Sequence, residues 1–239
     1  MIRDEQAVIF DLGNTLVAYY GSAGFRPILR DCLRHAAEAL AFVPDESAAE
    51  EIYQEALVLN REPADYAVRP LEGRLRQLFQ HRVQLDEARL RKASEAFLIP
   101  ILASAKPDPD AVPVLNALRK RGIKTAIVSN TPWGSASTPW REELRRLGLH
   151  DAVDAVVFCM DVGWRKPHRA PFNRALELLG VQAHQAAFVG DHPEWDVVGA
   201  RQAGLRPILL APSPPNNVDC AVIHSLRSVL ENIDALHVK

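Results

Sequence analysis

The order of short apolar runs and helical segments is the feature that most constrains the fold of this chain. Runs rich in apolar and β-branched residues lie at 7–10, 124–130, 155–160, 186–191 and 206–211. Segments with helical spacing separate the last four runs, and each ends at a glycine, which suits a helix C-terminus. Strands that alternate with helices favour a parallel sheet. We therefore predict a doubly wound α/β fold with at least five parallel strands.

The first of these strands is separated from the others by about 90 residues with almost no strand signal. Within this stretch, apolar residues repeat at helical spacing over 25–40 and again over 71–79. A segment rich in proline and aspartate follows at 104–113 and cannot continue a helix. The sequence thus predicts an α/β core formed by residues 1–18 and 107–239, with a helical cap inserted at 19–106.

Composition limits the possible partners. The chain has 239 residues, of which 48% are hydrophobic, and this is ample for a packed core. Its 28 basic and 30 acidic side chains give a formal charge of −2, so no overall field favours nucleic acid or an anionic membrane. No apolar run approaches the ~18 residues of a membrane helix, and the first residues do not resemble an export signal. The cysteines, Cys32, Cys159 and Cys220, have no metal-like spacing. We expect a cytoplasmic protein that acts on a small molecule.

Polar side chains follow the predicted strands at their carboxyl ends. Asp11 follows the first strand, Ser129 and Asn130 end the second, and Asp191 ends the fourth. Lys166 lies in the loop after the third strand. In a doubly wound sheet, reactive groups gather beyond the carboxyl ends of the strands, where the strand order reverses. We therefore expect these five side chains to converge.

Four segments that contain these residues resemble, in order, the four motifs of the haloacid dehalogenase-like (HAD) hydrolase superfamily. They are "FDLGNTL" (10–16), "IVSNT" (127–131), "RKP" (165–167) and "VGDHPEWD" (189–196). Four ordered motifs are far more specific than any one of them. The resemblance covers the core, and the inserted helical segment is similar to the mobile cap of that superfamily. It implies Mg²⁺-dependent hydrolysis of small phosphate monoesters through an aspartyl-phosphate.

The resemblance also implies a role for each motif residue. Asp11 would be the nucleophile, and Asp11, Asp191 and the main-chain carbonyl of Gly13 would bind Mg²⁺. The phosphoryl oxygens, over which the transition state spreads negative charge, would be bound by Ser129, the amide of Asn130 and Lys166. Asp196 would hold the lysine or the waters of the metal. Mg²⁺ suits this set because it prefers oxygen ligands and takes a substrate phosphate as a further one.

Each of these residues, taken alone, has a simpler explanation. Asp11 could cap a turn, and Ser129 and Asn130 could form loop hydrogen bonds. Lys166 could be a solvated surface charge, and Asp196 could interact with a helix dipole. Their joint occurrence in this order favours a common site.

Gly13 departs from the pattern of the superfamily. Its phosphatases typically carry an aspartate two residues after the nucleophile, which protonates the leaving oxygen and later activates water. Dehalogenases of the superfamily lack an acid there, but they usually lack the metal-binding acid of the fourth motif as well, whereas Asp191 is present here. We therefore rank a phosphatase that favours good leaving groups first, a 2-haloacid dehalogenase second, and a weakly catalytic protein that binds a phosphorylated ligand third. His192 is a nearby substitute acid or, alternatively, a structural residue.

The loop after the second strand, residues 130–140, contains two tryptophans, Trp133 and Trp140. They would either border the substrate or cover the core.

Overall fold

The computed structural model describes residues 5–20, 24–61, 64–213 and 218–234. Its main sheet has six parallel strands in the order β5-β4-β1-β6-β7-β8, and a separate antiparallel pair is formed by β2 and β3. The strands are β1 (Ala7–Phe10), β2 (Val17–Ala18), β3 (Lys106–Pro107), β4 (Lys124–Ser129), β5 (Ala155–Phe158), β6 (Ala186–Gly190), β7 (Arg206–Leu210) and β8 (Ala221–Ile223). The predicted doubly wound parallel sheet is confirmed.

The helices fall into two groups along the chain. Between β2 and β3 lie α1 (Phe25–Ala39), α2 (Glu46–Leu59), α3 (Leu71–Phe79) and α4 (Glu87–Ala103). After β3 follow α5 (Ala111–Lys120), α6 (Ser137–Arg146), α7 (Cys159–Val162), α8 (Arg169–Leu179), α9 (Gly199–Gln202) and α10 (Ser228–Asp234). No helix among the described residues is both long and apolar enough to cross a bilayer.

Strand β1 shows how the sheet is buried on both faces. Its four residues are 0% exposed, and they alternate between two apolar clusters. Val8 and Phe10 pack in the cluster that contains residues of α5, α6 and α10. Ala7 and Ile9 pack on the other side with residues of α8 and α9. Because neither face meets water, a continuous apolar run rather than an alternating one encodes this strand.

The central position of β1 also creates the strand-order reversal. It pairs with β4 on one side and with β6 on the other. The carboxyl ends of these three strands therefore meet at one edge of the sheet, as the sequence predicts.

The chain leaves and re-enters the core through β2 and β3, which pair Val17 with Pro107 and Ala18 with Lys106. This pairing differs from the sequence prediction at one end, because Lys106 belongs to a strand rather than to the helical interval 19–106. An isolated bridge between Ala67 and Trp164 also lies partly within that interval. The division into core and cap stays a prediction.

Two local predictions need correction. Cys159 and Met160 do not extend β5: they begin α7, because the Asp161 carboxylate accepts the Phe158 amide at 2.8 Å and caps a helical turn. The segment 194–204 is not one α-helix, since a π-helical turn, Pro193–Val198, precedes α9. Strand β8 and helix α10 extend the fold beyond the last predicted strand.

Candidate active site

A buried cluster of one ammonium and two carboxylates lies at the carboxyl edge of the sheet. Lys166 Nζ donates to Asp11 Oδ1 at 2.6 Å and to Asp196 Oδ1 at 2.6 Å. The three residues are only 3%, 7% and 1% exposed, respectively. Charges this deeply buried require partners, and here each of them has one. Three residues that are far apart in sequence are thus brought into direct contact.

The lysine is held in place by the loop that follows β4. The Lys166 amide donates to Asn130 Oδ1 at 2.8 Å, and Asn130 Nδ2 donates to the Lys166 carbonyl at 3.2 Å. Arg165, the preceding residue, donates from Nη1 to the Thr131 carbonyl at 3.2 Å. The side chain of Asn130 therefore fixes the backbone of the lysine loop, a contact that sequence reasoning missed.

One glycine lets Asp196 approach the end of β6, and a second lets the start of α9 approach Phe172. A Cβ on Gly190 would lie 2.3 Å from the Asp196 carboxylate, and a Cβ on Gly199 would lie 2.8 Å from the Phe172 ring. Both positions require glycine because these approaches leave no space for a side chain. Asp196 Oδ2 also accepts the His192 amide at 3.0 Å. Gly190 could have been identified from the sequence, because this glycine ends a predicted strand and directly precedes Asp191.

Asp191 follows β6, beside the end of β1, and is half-buried. Its carboxylate interacts with the side chain of Asn14, whose backbone has φ 57°. Asparagine tolerates this left-handed conformation better than most residues, and this is the signal that could have identified Asn14. Asp11, Asp191 and Asp196 each offer an oxygen within 4.8 Å of the others.

Burial and mutual repulsion alter the proton affinity of this cluster. Burial, opposed by Lys166 and reinforced by Asp196, raises the pKa of Asp11 to about 6. Burial and the charges of Asp11 and Asp196 raise the pKa of Asp191 to about 7. Burial alone would lower the pKa of Lys166, but the two adjacent carboxylates raise it, so the ammonium stays charged. The cluster therefore carries excess negative charge that a cation would neutralise.

The donor set fits a hard divalent cation. Both Asp196 oxygens accept a hydrogen bond, one from Lys166 and one from the His192 amide, whereas Lys166 contacts Asp11 through Oδ1. The bridge between Gly13 and Val17 uses the Asn14 amide and the Leu12 carbonyl, and within the described part of the chain no main-chain amide donates to the Gly13 carbonyl. Carboxylate and carbonyl oxygens are the ligands that Mg²⁺ prefers.

Ser129 and His192 lie at the same carboxyl edge of the sheet, but their side chains differ in their hydrogen bonds. Ser129 is 6% exposed, and its hydroxyl lies 3.5 Å from the Asn130 carbonyl, too long for a strong hydrogen bond. His192 Nδ1 accepts the Trp195 amide at 3.2 Å, and the two rings stack at 4.0 Å. This histidine therefore caps the turn that carries Asp196.

Trp133 and Trp140 are both 2% exposed, so neither has a surface that faces solvent.

Comparisons with known proteins agree with this arrangement. Residues 5–204 match the family model described as haloacid dehalogenase-like hydrolase. The chain is 34% identical over 209 residues to a phosphoglycolate phosphatase from Rhodospirillum rubrum, covering 86% of this chain and 79% of that protein. It is 31% identical over 200 residues to a glyceraldehyde 3-phosphate phosphatase from Methanopyrus kandleri, covering 84% and 81%.

Two solved structures share the fold. A HAD phosphatase from Thermococcus onnurineus superposes with a TM-score of 0.68 at 24% identity, covering 95% of this chain and 97% of that one. A 2-haloacid dehalogenase from Pseudomonas syringae pv. Tomato DC3000 superposes with a TM-score of 0.67 at 30% identity, covering 96% and 98%. The resemblance drawn from the four motifs is thus confirmed over most of the chain, and the protein belongs to the haloacid dehalogenase-like hydrolase family.

Proposed function

We propose that this protein is a Mg²⁺-dependent phosphatase that hydrolyses small phosphate monoesters through phosphorylated Asp11. The observation that carries the proposal is the contact of the Lys166 ammonium with Asp11 and Asp196 at 2.6 Å, beside the half-buried Asp191. The relatives that are 31% and 34% identical over most of the chain are named as phosphatases, which supports the same activity.

In the proposed reaction, a carboxylate oxygen of Asp11 attacks phosphorus, and the bond from phosphorus to the leaving oxygen breaks. Water then attacks the phosphorus of the phosphorylated Asp11, which releases phosphate and restores the carboxylate. The hydroxyl of Ser129, the main-chain amide of Asn130 and the ammonium of Lys166 stabilise the negative phosphoryl oxygens. Asp196 keeps the ammonium in place.

Asp11, Asp191 and the Gly13 carbonyl would hold Mg²⁺. The bound ion supplies positive charge that allows a phosphate dianion to approach the Asp11 carboxylate. Burial, with the charge of neighbouring carboxylates, raises the pKa of Asp11 to about 6 and that of Asp191 to about 7, and a cation beside them would stabilise their charged forms, which supports this assignment.

Gly13 determines which substrates react well. No side chain at this position can protonate the leaving oxygen, and a positioned general acid contributes about 10²- to 10⁴-fold to such reactions. Acyl and aryl phosphates lose little without it, because their leaving groups depart as stable anions. We therefore infer a preference for substrates with good leaving groups.

A 2-haloacid dehalogenase is the second candidate. Halide departs without a proton, so the lack of an acid at Gly13 suits this reaction, and the dehalogenase from Pseudomonas syringae is 30% identical. The cluster of Asp191 with Asp11 and Asp196 favours the phosphatase instead, because halide displacement does not need a metal-binding carboxylate.

The two functions can be separated in one set of assays. Phosphate release is measured from acetyl phosphate, p-nitrophenyl phosphate and glycerol phosphate, with Mg²⁺ and with EDTA, and chloride release from 2-chloropropionate is measured in parallel. The proposal predicts phosphate release that EDTA abolishes and that Asp11→Asn lacks. Chloride release that persists in EDTA, without phosphate release, would replace the phosphatase by the dehalogenase.

A further inference from the structure

Trp133 connects a loop of the candidate site to the inserted helices. It lies three residues after Asn130, and its indole Nε1 donates to Asn60 Oδ1 at 2.5 Å, just beyond the end of α2. Its ring also stacks on Phe97 of α4, with centroids 5.2 Å apart and an interplanar angle of 28°. The side chain is 2% exposed. A residue of the core loop is thus embedded among the helices that lie between β2 and β3.

The backbone of Trp133 is held in an unfavourable conformation. Its φ of 55° and ψ of 21° lie in the left-handed region, which bulky residues rarely adopt. Such a conformation persists only where surrounding contacts over-determine it, and it is frequent at functional sites. The contacts with Asn60 and Phe97 supply that constraint. The loop conformation therefore depends on the inserted helices and not only on the core.

Gly134 makes a second contact between this loop and the segment that precedes α3, here through the main chain. Its φ is 64°, and a Cβ at this position would lie 2.2 Å from the carbonyl oxygen of Arg69. Only glycine permits the two backbones to approach this closely. The segment around Arg69 thus lies directly against the loop that follows β4.

The same segment also pairs with the loop that carries Lys166. The Arg165 amide donates to the Tyr66 carbonyl at 2.8 Å, and the Val68 amide donates to the Gly163 carbonyl at 3.0 Å. Asn60 and residues 66–69 therefore contact both site loops, which are joined to each other through Asn130 and Lys166.

We propose that Trp133 is a positioning residue for the reaction: by anchoring the loop of Asn130 to Asn60 and Phe97, it fixes the place of Lys166 against Asp11. The inference rests on the proposed function. Trp133 acts through the backbone of the loop, because it is not among the residues proposed to bind phosphate. Because small misplacements of positioned groups reduce turnover strongly, loss of the anchor lowers the rate of the chemical step more than it alters substrate affinity.

The test uses variants on both sides of the contact. Trp133→Phe keeps an aromatic ring but removes the indole donor, and Asn60→Ala removes the acceptor. Asn60→Asp retains an acceptor oxygen and serves as the conservative rescue. The matched control is Trp140→Phe, because Trp140 is also 2% exposed and its indole donates to Ser135 Oγ at 2.9 Å, within the segment that follows β4, while its ring packs against Tyr19 beside β2.

Four quantities are measured for each full-length variant with Mg²⁺: kcat and KM for p-nitrophenyl phosphate, the affinity for inorganic phosphate by calorimetry, and the midpoint of urea unfolding. We expect Trp133→Phe and Asn60→Ala each to lower kcat by about tenfold or more, with smaller changes in KM. Their double variant should be no worse than the single ones, because both remove the same contact. Asn60→Asp should restore most of kcat, and Trp140→Phe should lower the unfolding midpoint while kcat stays within about twofold of wild type.

Two results would overturn the inference while the proposed function survives: a wild-type kcat in Trp133→Phe, or equal losses of kcat in Trp133→Phe and Trp140→Phe at equal unfolding midpoints. A wild-type protein that neither releases phosphate from the ester nor binds inorganic phosphate would overturn the proposed function, and this inference with it.

Discussion

Lys166 and Asp196 form a buried ion pair in which the ammonium lies 2.6 Å from Asp196 Oδ1, and both side chains are 2% exposed. The second oxygen of Asp196 accepts a hydrogen bond from the His192 amide, so both oxygens of this carboxylate have a partner. Asp196 therefore serves to orient the lysine, and the lysine in turn contacts Asp11. In the proposed function, the ion pairs that hold this site together also position its reacting groups.

Replacement of Lys166 by methionine should abolish turnover and destabilise the fold. Removal of one partner of a buried ion pair typically costs about 3–5 kcal/mol, because the remaining charge is left unpaired. Here Asp11 and Asp196 would both lose their partner. The loss should be smaller at pH 5 than at pH 8, because burial raises the pKa of Asp11 to about 6 and this carboxyl can take up a proton at the lower pH. Urea unfolding at both pH values measures this. Lys124→Met is the control, since Lys124 Nζ donates to the Leu179 carbonyl and has no carboxylate partner among the described residues. Equal losses for the two variants at both pH values would contradict the prediction.

The metal-free protein should become less stable as the pH rises from about 4 to about 7. The pKa of Asp191 is raised from 3.8 to about 7 and that of Asp11 to about 6, so the folded state holds more protons than the unfolded state in this window. The lowered pKa of His192 opposes this trend. Comparison with Asp191→Asn isolates one carboxyl: in EDTA the variant should be more stable than wild type above pH 7 and lose this advantage near pH 4. Parallel stability curves for the two proteins would contradict the prediction.

Mg²⁺ should raise the thermal midpoint of the wild-type protein at pH 8. A ligand that binds only the folded state stabilises it by about 2.7 kcal/mol at a concentration one hundred times its Kd. Asp191→Asn should lose this shift, whereas Asp196→Asn should retain most of it, because the Asp196 oxygens are already engaged. Glu194→Gln changes an exposed carboxylate in the same turn and serves as the control. A shift that survives in Asp191→Asn but disappears in Asp196→Asn would reverse this assignment of ligands.

Gly13→Asp should improve the hydrolysis of simple alkyl phosphates. A Cβ at Gly13 meets no atom within 4 Å, so the position has room for a side chain. A positioned acid contributes about 10²- to 10⁴-fold when the leaving group needs a proton. Across a series of monoesters, kcat/KM for wild type should fall steeply with leaving-group pKa, and this dependence should flatten in the variant. An equally shallow dependence in both proteins would mean that another residue donates the proton.

The sequence was informative where a residue's place follows from the end of a strand. Asp11 and Asp191 could be placed together because parallel neighbouring strands end at one edge, whatever the details of packing. The reciprocal bonds between Asn130 and Lys166 could not be predicted, because they depend on the approach of two loops. The position of Trp133 was equally hidden, since its left-handed backbone is imposed by tertiary contacts against its local preference.

The end of β5 could not be predicted from the sequence either. The apolar run continues through Cys159 and Met160, yet the Asp161 carboxylate caps the Phe158 amide and begins a helical turn. A hydrogen bond between a side chain and the backbone here outweighs the β-rich pattern.

The central claim, that Asp11 becomes phosphorylated, can be tested by trapping the enzyme during turnover. The protein is mixed with p-nitrophenyl phosphate radiolabelled in its phosphoryl group and Mg²⁺, quenched in acid within one turnover, and digested at low pH. We predict a label that hydroxylamine releases, located on the peptide containing Asp11, and no label in Asp11→Asn. A label on another peptide, or undiminished phosphate release by Asp11→Asn, would contradict the account.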